Sequence, residues 1–454
     1  MNSSIVLLYF CFLLAITLVD SKGKKGFVLS RNIYWLWLSV SIAAGLVGGN
    51  TFVTFTGFVK IYGISAMWFF IGLVLGLSTF LFVPKNLKNL NVLQNITISD
   101  YFEKIFDRST SLYLSVANLI RFLSILAIQI IAGGKILSEL LSISYTWSVI
   151  ITITTITIYV YIKGFWGVVK SDIFQVFFII VPLLFSVPSF YSHLINTDNS
   201  KIREYINPFN AGFANILVFL LFGIALIVGS ADIWQRLICL KELRSIRKIV
   251  ISSSLQIIII GFLITAFGLT SINFDVDSNN AFMYIFSHGN FSEPIKIFIA
   301  LAILSAILST ADTFLMGSAT IIVNDFLKKK EEDQVNIYRL IIIIISLLTL
   351  LFSIYYQNIL KIAIFLVNIV FTISPFIFFH MVGKKLYPIS VKLSIIFGAL
   401  YIIIITVFKG SEPVYTYGSL LISLFTLLLF NNKSIHLFLE KTLRITKGVR
   451  SLFL

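Results

Sequence analysis

Residues 304–319 read LSAILSTADTFLMGSA, and this stretch sets the class of the whole chain. It places Ser309, Thr310, Asp312 and Thr313 inside a hydrophobic segment of about thirty residues, more than the roughly twenty that cross a bilayer as a helix. A carboxylate at bilayer depth costs roughly 2.5–3.5 kcal/mol on insertion scales, so intramembrane acids face a cavity, an ion or a relay rather than lipid. With three hydroxyls beside it, Asp312 is expected to meet a small cation.

The rest of the chain agrees. Hydrophobic residues make up 58% of the 454, charged residues 12%, and mean hydropathy is +0.97. Spans are expected near 4–20, 33–58, 64–84, 109–141, 145–163, 166–190, 212–236, 247–272, 296–324, 336–356, 358–382, 391–408 and 416–430, about thirteen in all. The fold class is therefore an all-α polytopic membrane protein. A formal charge of +15 would suggest nucleic acid for a soluble domain. Here the basic residues fall in short loops, among them Arg236 to Lys248, Lys328 to Lys330, and Lys384 with Lys385. Nucleic acid is thereby excluded, and the lipid bilayer takes its place as partner. The same bias orients the chain with its N-terminus outside and its C-terminus in the cytoplasm.

The apolar run Ile5 to Leu18 has no basic residue before it and Lys22, Lys24 and Lys25 after it, which predicts a retained first helix rather than a cleaved signal peptide. No linker divides residues 1–454, so a single membrane domain is expected, with polar stretches at 85–108, 191–211, 273–294 and 325–335. Within the third, NNAFMYIF predicts a short helix or a plain surface loop. Cys11 and Cys239 form no spaced pair, and no disulfide framework or thiolate metal site follows.

Helix breakers cluster in two places, GLVGGN at 45–50 and Gly223 with Gly229 before SADIWQ. Broken helices expose carbonyls and helix ends, and they are tolerated at membrane depth only where they line a cavity or pack in protein. With the spans from 33 to 190 as one half and those from 212 to 382 as another, both breaks fall in the first helix of their half, as in an inverted-repeat carrier. An embedded enzyme would need clustered catalytic groups, and no HExxH motif or intramembrane Ser–His pair is present. A sensor of similar architecture would call for a signalling domain, and only about 24 residues follow the last predicted span.

Four segments, in order, resemble the sodium/solute symporter family: ISDYFEKIF at 98–106, GFWGVVKSDIFQV at 164–176, DIWQRL at 232–237 with a basic tail, and ILSTADT at 307–313 ending in NDF. The resemblance covers residues 30 to 385 and implies a leucine-transporter fold of five plus five inverted helices. On that plan 1–30 is an extra N-terminal helix and loop, 31–190 the first repeat, 212–385 the second, 390–430 accessory helices and 431–454 a basic cytoplasmic tail. The family's principal sodium site maps onto Ala44, Val47, Ala306, Ser309 and Thr310. Five neutral oxygen donors suit a monovalent cation. A further cation or proton site of some members maps onto Asp172, Ser309, Asp312 and Thr313, with Asp312 standing where a serine can serve.

The family's substrate pocket maps onto Asn50, Thr51, Trp68, Phe69, Gln129, Ser230 and Asp232, with Arg121 or Lys135 to hold a carboxylate. These two bases lie within about 40° of one helix face at 100° per residue. Positions that carry sugar-binding polar residues in hexose carriers are Leu46, Thr51 and Ser230 here, and the position of their gate tyrosine is Asp232. The resemblance thus implies sodium-coupled symport of an amino acid or carboxylate rather than a sugar, by alternating access, with sodium and a small organic solute as partners and no obligatory protein partner. A proton-coupled symporter or uniporter of the same fold is the alternative.

Overall fold

In hydrocarbon a backbone N–H has no water to bond, so each apolar run closes its hydrogen bonds within a helix. The computed structural model describes residues 8–13, 15, 33–82, 97–195, 199–240, 242–278, 281–289, 291–328, 335–408 and 415–433. Its helices are α1 (Trp35–Leu46), α2 (Gly49–Tyr62), α3 (Trp68–Thr79), α4 (Ile98–Ile105), α5 (Arg108–Leu141), α6 (Tyr145–Ile162), α7 (Gly164–Ser192), α8 (Gly212–Val228), α9 (Ala231–Ile238), α10 (Ile246–Leu269), α11 (Glu293–Thr320), α12 (Val335–Tyr355), α13 (Ile359–Met381), α14 (Pro388–Phe408) and α15 (Thr416–Phe430). Two short helices, Asn199–Ile206 and Ala281–His288, lie in connecting segments, the second where NNAFMYIF predicts one.

Among the described residues, nine helices are long and apolar enough to cross a membrane, or ten if the bent pair α8–α9 counts as one span. This is fewer than the thirteen expected, for physical reasons. The first expected span lies largely outside the described residues. Helices α1 and α15 run for only 12 and 15 residues. Helices α2 and α3 continue through a tight turn at Gly63–Met67, so residues Thr51–Thr79 count once.

Helix α11 is the axis of the bundle: residues 301–320 are all buried, packed against α1, α5, α6 and α7. The outer helices turn apolar side chains outward instead, with Leu348, Leu351, Ile403 and Val407 exposed as a lipid-facing surface. Backbones approach closely where glycine allows it. A Cβ at Gly223 would lie 2.5 Å from the Phe69 carbonyl oxygen, and one at Gly72 would lie 2.5 Å from that of Leu220. Gly223 therefore packs α8 onto α3, the usual use of small residues in membranes, and is not the helix breaker its sequence context suggested. The chain turns between α6 and α7 at Gly164, whose φ of 57° needs a residue without a side chain.

Two of the family-like motifs meet at one end of α11. Thr97 and Asp100 form a capping box at the start of α4. The π-turn Ile321–Phe326 that follows α11 brings Asn324 and Asp325 onto it. Asp325 accepts hydrogen bonds from Thr97 Oγ1 and Ser115 Oγ, both at 2.7 Å, and Asn324 Nδ2 donates to Asp100 at 2.9 Å. Nearby, partial burial pushes the Glu103 carboxyl up, but hydrogen bonds from Lys328 and Arg108 outweigh it and hold it below its ordinary value.

Candidate ion and substrate site

The first break falls at Val47 and Gly48, between α1 and α2, where Val47 leaves the helical region at φ −107°, ψ 75°. It rests directly on α11. A Cβ at Gly48 would lie 2.6 Å from Thr310 Oγ1, and one at Gly49 would lie 2.0 Å from Ile307, so only glycine lets the broken backbone approach this helix. Ala44, Val47, Ala306, Ser309 and Thr310 are all buried at this junction. Thr310 Oγ1 has no hydrogen-bond partner among the described residues. A threonine hydroxyl in a helix commonly bonds back to a carbonyl one turn earlier, as Thr320 does here to Met316. An orphaned buried hydroxyl facing a broken helix is a ready oxygen donor for a cation.

The second break falls at Gly229 and Ser230, between α8 and α9, and bends the pair by 45°. Arg121 of α5 braces it. Its Nη1 donates to the Gly229 carbonyl at 3.1 Å, and its Nη2 donates to Ser230 Oγ at 2.8 Å while lying 3.7 Å from Asp232 Oδ1. Ser230 Oγ in turn donates to Asp232 Oδ1 at 2.7 Å. A guanidinium set against the open carbonyl end of α8 compensates that end of the helix dipole.

The remaining expected ion residues are reached through Arg236. Arg236 is expected among the loop cations, but it is 2% exposed and points into the core from α9. Its Nε donates to Ser41 Oγ at 2.8 Å and its Nη2 to Thr313 Oγ1 at 2.8 Å; Nη2 also lies 3.5 Å from Asp172 Oδ2, and Nη1 lies 3.6 Å from Asp232 Oδ2. Asp172 accepts further hydrogen bonds from Ser41 Oγ and, at 2.5 Å, from Ser309 Oγ. Asp312 faces another way. Its Oδ2 accepts from Tyr159 at 2.7 Å and from Ser171 at 3.0 Å, and its Oδ1 has no hydrogen-bond partner among the described residues. Ser41, Tyr159, Ser171 and Arg236 were missed as site residues. Only Arg236 carried a signal, since it stands one helical turn after Asp232 in the motif DIWQRL.

Beside the first break lies a small cavity of about 100 Å³. Five phenylalanines line it, Phe55, Phe58, Phe69, Phe222 and Phe314, with Leu46, Thr51, Thr54, Gln129, Thr310 and Arg121. Arg121 Nε is buried and has no hydrogen-bond partner among the described residues. The apolar wall with a few polar groups suits a small organic ligand. Of the expected substrate residues, Thr51, Phe69, Gln129 and Arg121 reach the cavity. Trp68 donates its indole N–H to the Pro208 carbonyl at 2.8 Å and is not in the lining. Ser230 and Asp232 are bound by Arg121 instead, and Lys135 reaches the Gln357 carbonyl. The side chain of Asn50 lies outside the described residues.

Two broken helices set against one buried, hydroxyl-bearing helix, with a cavity at the junction, define the class: a secondary carrier rather than an enzyme. The chain belongs to the sodium:solute symporter family, which its residues 27–387 match. It is 25% identical over 322 residues to the osmoregulated proline transporter OpuE of Bacillus subtilis, of whose length it spans 64%, and 25% identical over 384 residues to the sodium/pantothenate symporter of Haemophilus influenzae, covering 77% of this chain and 78% of that one. Its fold superposes on a substrate-bound, outward-open Na+-coupled sialic acid symporter with a TM-score of 0.78 at 14% identity, over 95% of this chain and 97% of that one. The nucleobase-cation-symport-1 transporter Mhp1 follows with a TM-score of 0.59 at 12% identity, over 90% of this chain and 95% of that one. The fold is thus of the leucine-transporter type, and in this family sodium is a co-transported ion rather than a cofactor.

Proposed function

We propose that this protein is a sodium-coupled symporter that carries a small carboxylate with an apolar body by alternating access. The observation that carries the reading is Thr310. It lines the solute cavity and also presents an unpartnered buried hydroxyl to the break at Val47–Gly48. Sodium bound by the Ala44, Val47 and Ala306 carbonyls with the Ser309 and Thr310 hydroxyls would pin α1 and α2 to α11 and so fix one wall of that cavity. An ion shifts the conformational equilibrium only through its higher affinity for one state, and pinning a broken helix supplies that difference. The Arg121 side chain in the cavity lining favours an anionic headgroup, while Asp232, held between two arginines, is not free to receive an amine. A carboxylate therefore fits better than a zwitterion. The N-terminus lies outside and the C-terminus inside on the loop charges, and residues 31–190 and 212–385 are the two repeats.

The test is uptake into proteoliposomes. An inward sodium gradient is expected to drive accumulation of small aromatic or branched monocarboxylates, with no stimulation by potassium and no competition by amines or hexoses. Equal uptake in potassium, or competition by a hexose, would sink the reading.

In this orientation α4 closes the inner side. Tyr101 stacks on Trp234 at 5.6 Å between ring centroids, Phe80 meets the same tryptophan edge-on at 5.4 Å, and the Tyr101 hydroxyl lies 2.7 Å from His380 Nε2. Cys239, fully buried and five residues beyond Trp234, reports on this seal. In a Cys11→Ser background, Tyr101→Ala is expected to speed labelling of Cys239 by a membrane-permeant maleimide several-fold. Unchanged labelling would show that these rings do not gate access.

A further inference from the structure

We infer that the guanidinium of Arg236 is a built-in cation occupying the second ion site, so that one transport cycle carries a single sodium ion. The inference rests on the sodium-coupled reading above and fixes its stoichiometry. A sodium ion held by Asp172 Oδ2 and Thr313 Oγ1 together would lie between these two oxygens. That position is taken by Arg236 Nη2, 2.8 Å from the threonine oxygen and 3.5 Å from the carboxylate oxygen.

The other donors are engaged as well. Ser41 bridges the pair, accepting from Arg236 Nε at 2.8 Å and donating to Asp172 Oδ2. Asp172 Oδ1 is held by Ser309 at 2.5 Å, and Asp312 Oδ2 is turned to Tyr159 and Ser171. Of the four residues expected to ligate a second ion, two hold the guanidinium and a third faces other partners. Ser309 remains, and by donating its proton to Asp172 it keeps its lone pairs for the first site.

An arginine is a permanent cation, since its guanidinium is not deprotonated in proteins. It compensates the buried Asp172 without an ion being bound or released.

The experiment counts sodium-22 bound at saturation to the full-length protein in lipid nanodiscs. The wild type is expected to bind one ion per chain, and Arg236→Lys, which keeps a cation, also one. Arg236→Ser removes the cation and adds an oxygen donor, and is expected to bind two, with the Hill slope of sodium-driven uptake rising from one towards two. Two ions per wild-type chain would overturn the inference, as would a folded Arg236→Ser protein that still binds one. If the serine variant does not fold, the wild-type count decides alone. No sodium bound at all would overturn the sodium-coupled reading itself, and the inference with it.

Discussion

Thr310→Val is expected to abolish the stabilisation of the protein by sodium while leaving its stability in choline unchanged or slightly higher. The two halves of this result have separate causes. Without sodium, the Thr310 hydroxyl is a buried polar group with no hydrogen-bond partner among the described residues. Replacing such a group by an apolar one of the same shape is close to neutral or stabilising. With sodium, the wild type gains the free energy of an ion that binds only the folded state, about 2.7 kcal/mol at a hundred times the dissociation constant. The variant has lost a ligand and the gain with it. The melting curves of the two proteins should therefore cross over between choline and sodium at matched ionic strength. Ser309→Ala gives a useful contrast, because Ser309 donates to Asp172. It should destabilise the protein in both salts, since a buried carboxylate oxygen loses its donor. If Thr310→Val keeps the full difference between sodium and choline, the ion does not bind at the first break.

The breaks were legible in the sequence because each rests on local chemistry. GLVGGN places the first within a residue or two of where it occurs, since Gly48 and Gly49 are needed for the approach to α11 and no other residue fits there. The second was legible only as a region, because Gly223 and Gly229 look alike in sequence while one packs against α3 and the other opens the helix. The pairings across the bundle were hidden for another reason. Asp172 meets Ser41 across 131 positions and Ser309 across 137, and Asp312 meets Tyr159 across 153. A lone serine or tyrosine in an apolar helix gives no local sign of facing an acid, since most such hydroxyls bond to their own helix. Arg236 was misread because a cation at the end of an apolar run ordinarily marks the membrane surface. What keeps it inside is the bend at Gly229–Ser230, which turns α9 and its DIWQRL motif towards Asp172 and Thr313. Sequence patterns thus located the elements, while the charge pairing that joins them depended on a change of helix direction.

Arg121→Gln is expected to weaken carboxylate binding by 10- to 100-fold or more, with sodium binding in the absence of solute little changed. Hydrogen bonds to charged groups are worth about 1.5–3 kcal/mol, which corresponds to that range for one contact and more for a bidentate one. Arg121 has two tasks that the substitution alone does not separate: bracing the second break through Gly229 and Ser230, and supplying a cation to the lining of a cavity otherwise walled largely by apolar side chains. A ligand comparison separates them. A substrate carboxylate and its primary amide differ by one charge in nearly the same shape. The wild type should prefer the acid strongly, because the hydrogen bond from the guanidinium is charge-assisted at both ends only with the acid. The glutamine variant should bind the two alike, at about the affinity the wild type shows for the amide. If bracing were the whole role, the variant would lose affinity for acid and amide in equal proportion and keep the preference of the wild type. Isothermal titration of both ligands at saturating sodium reads the difference directly. Arg121→Lys completes the argument, for lysine keeps the charge but not the planar fork that spans a carbonyl, a hydroxyl and a carboxylate at once. It should retain part of the preference for the acid while losing stability at the break, which places the charge with the substrate and the fork with the fold.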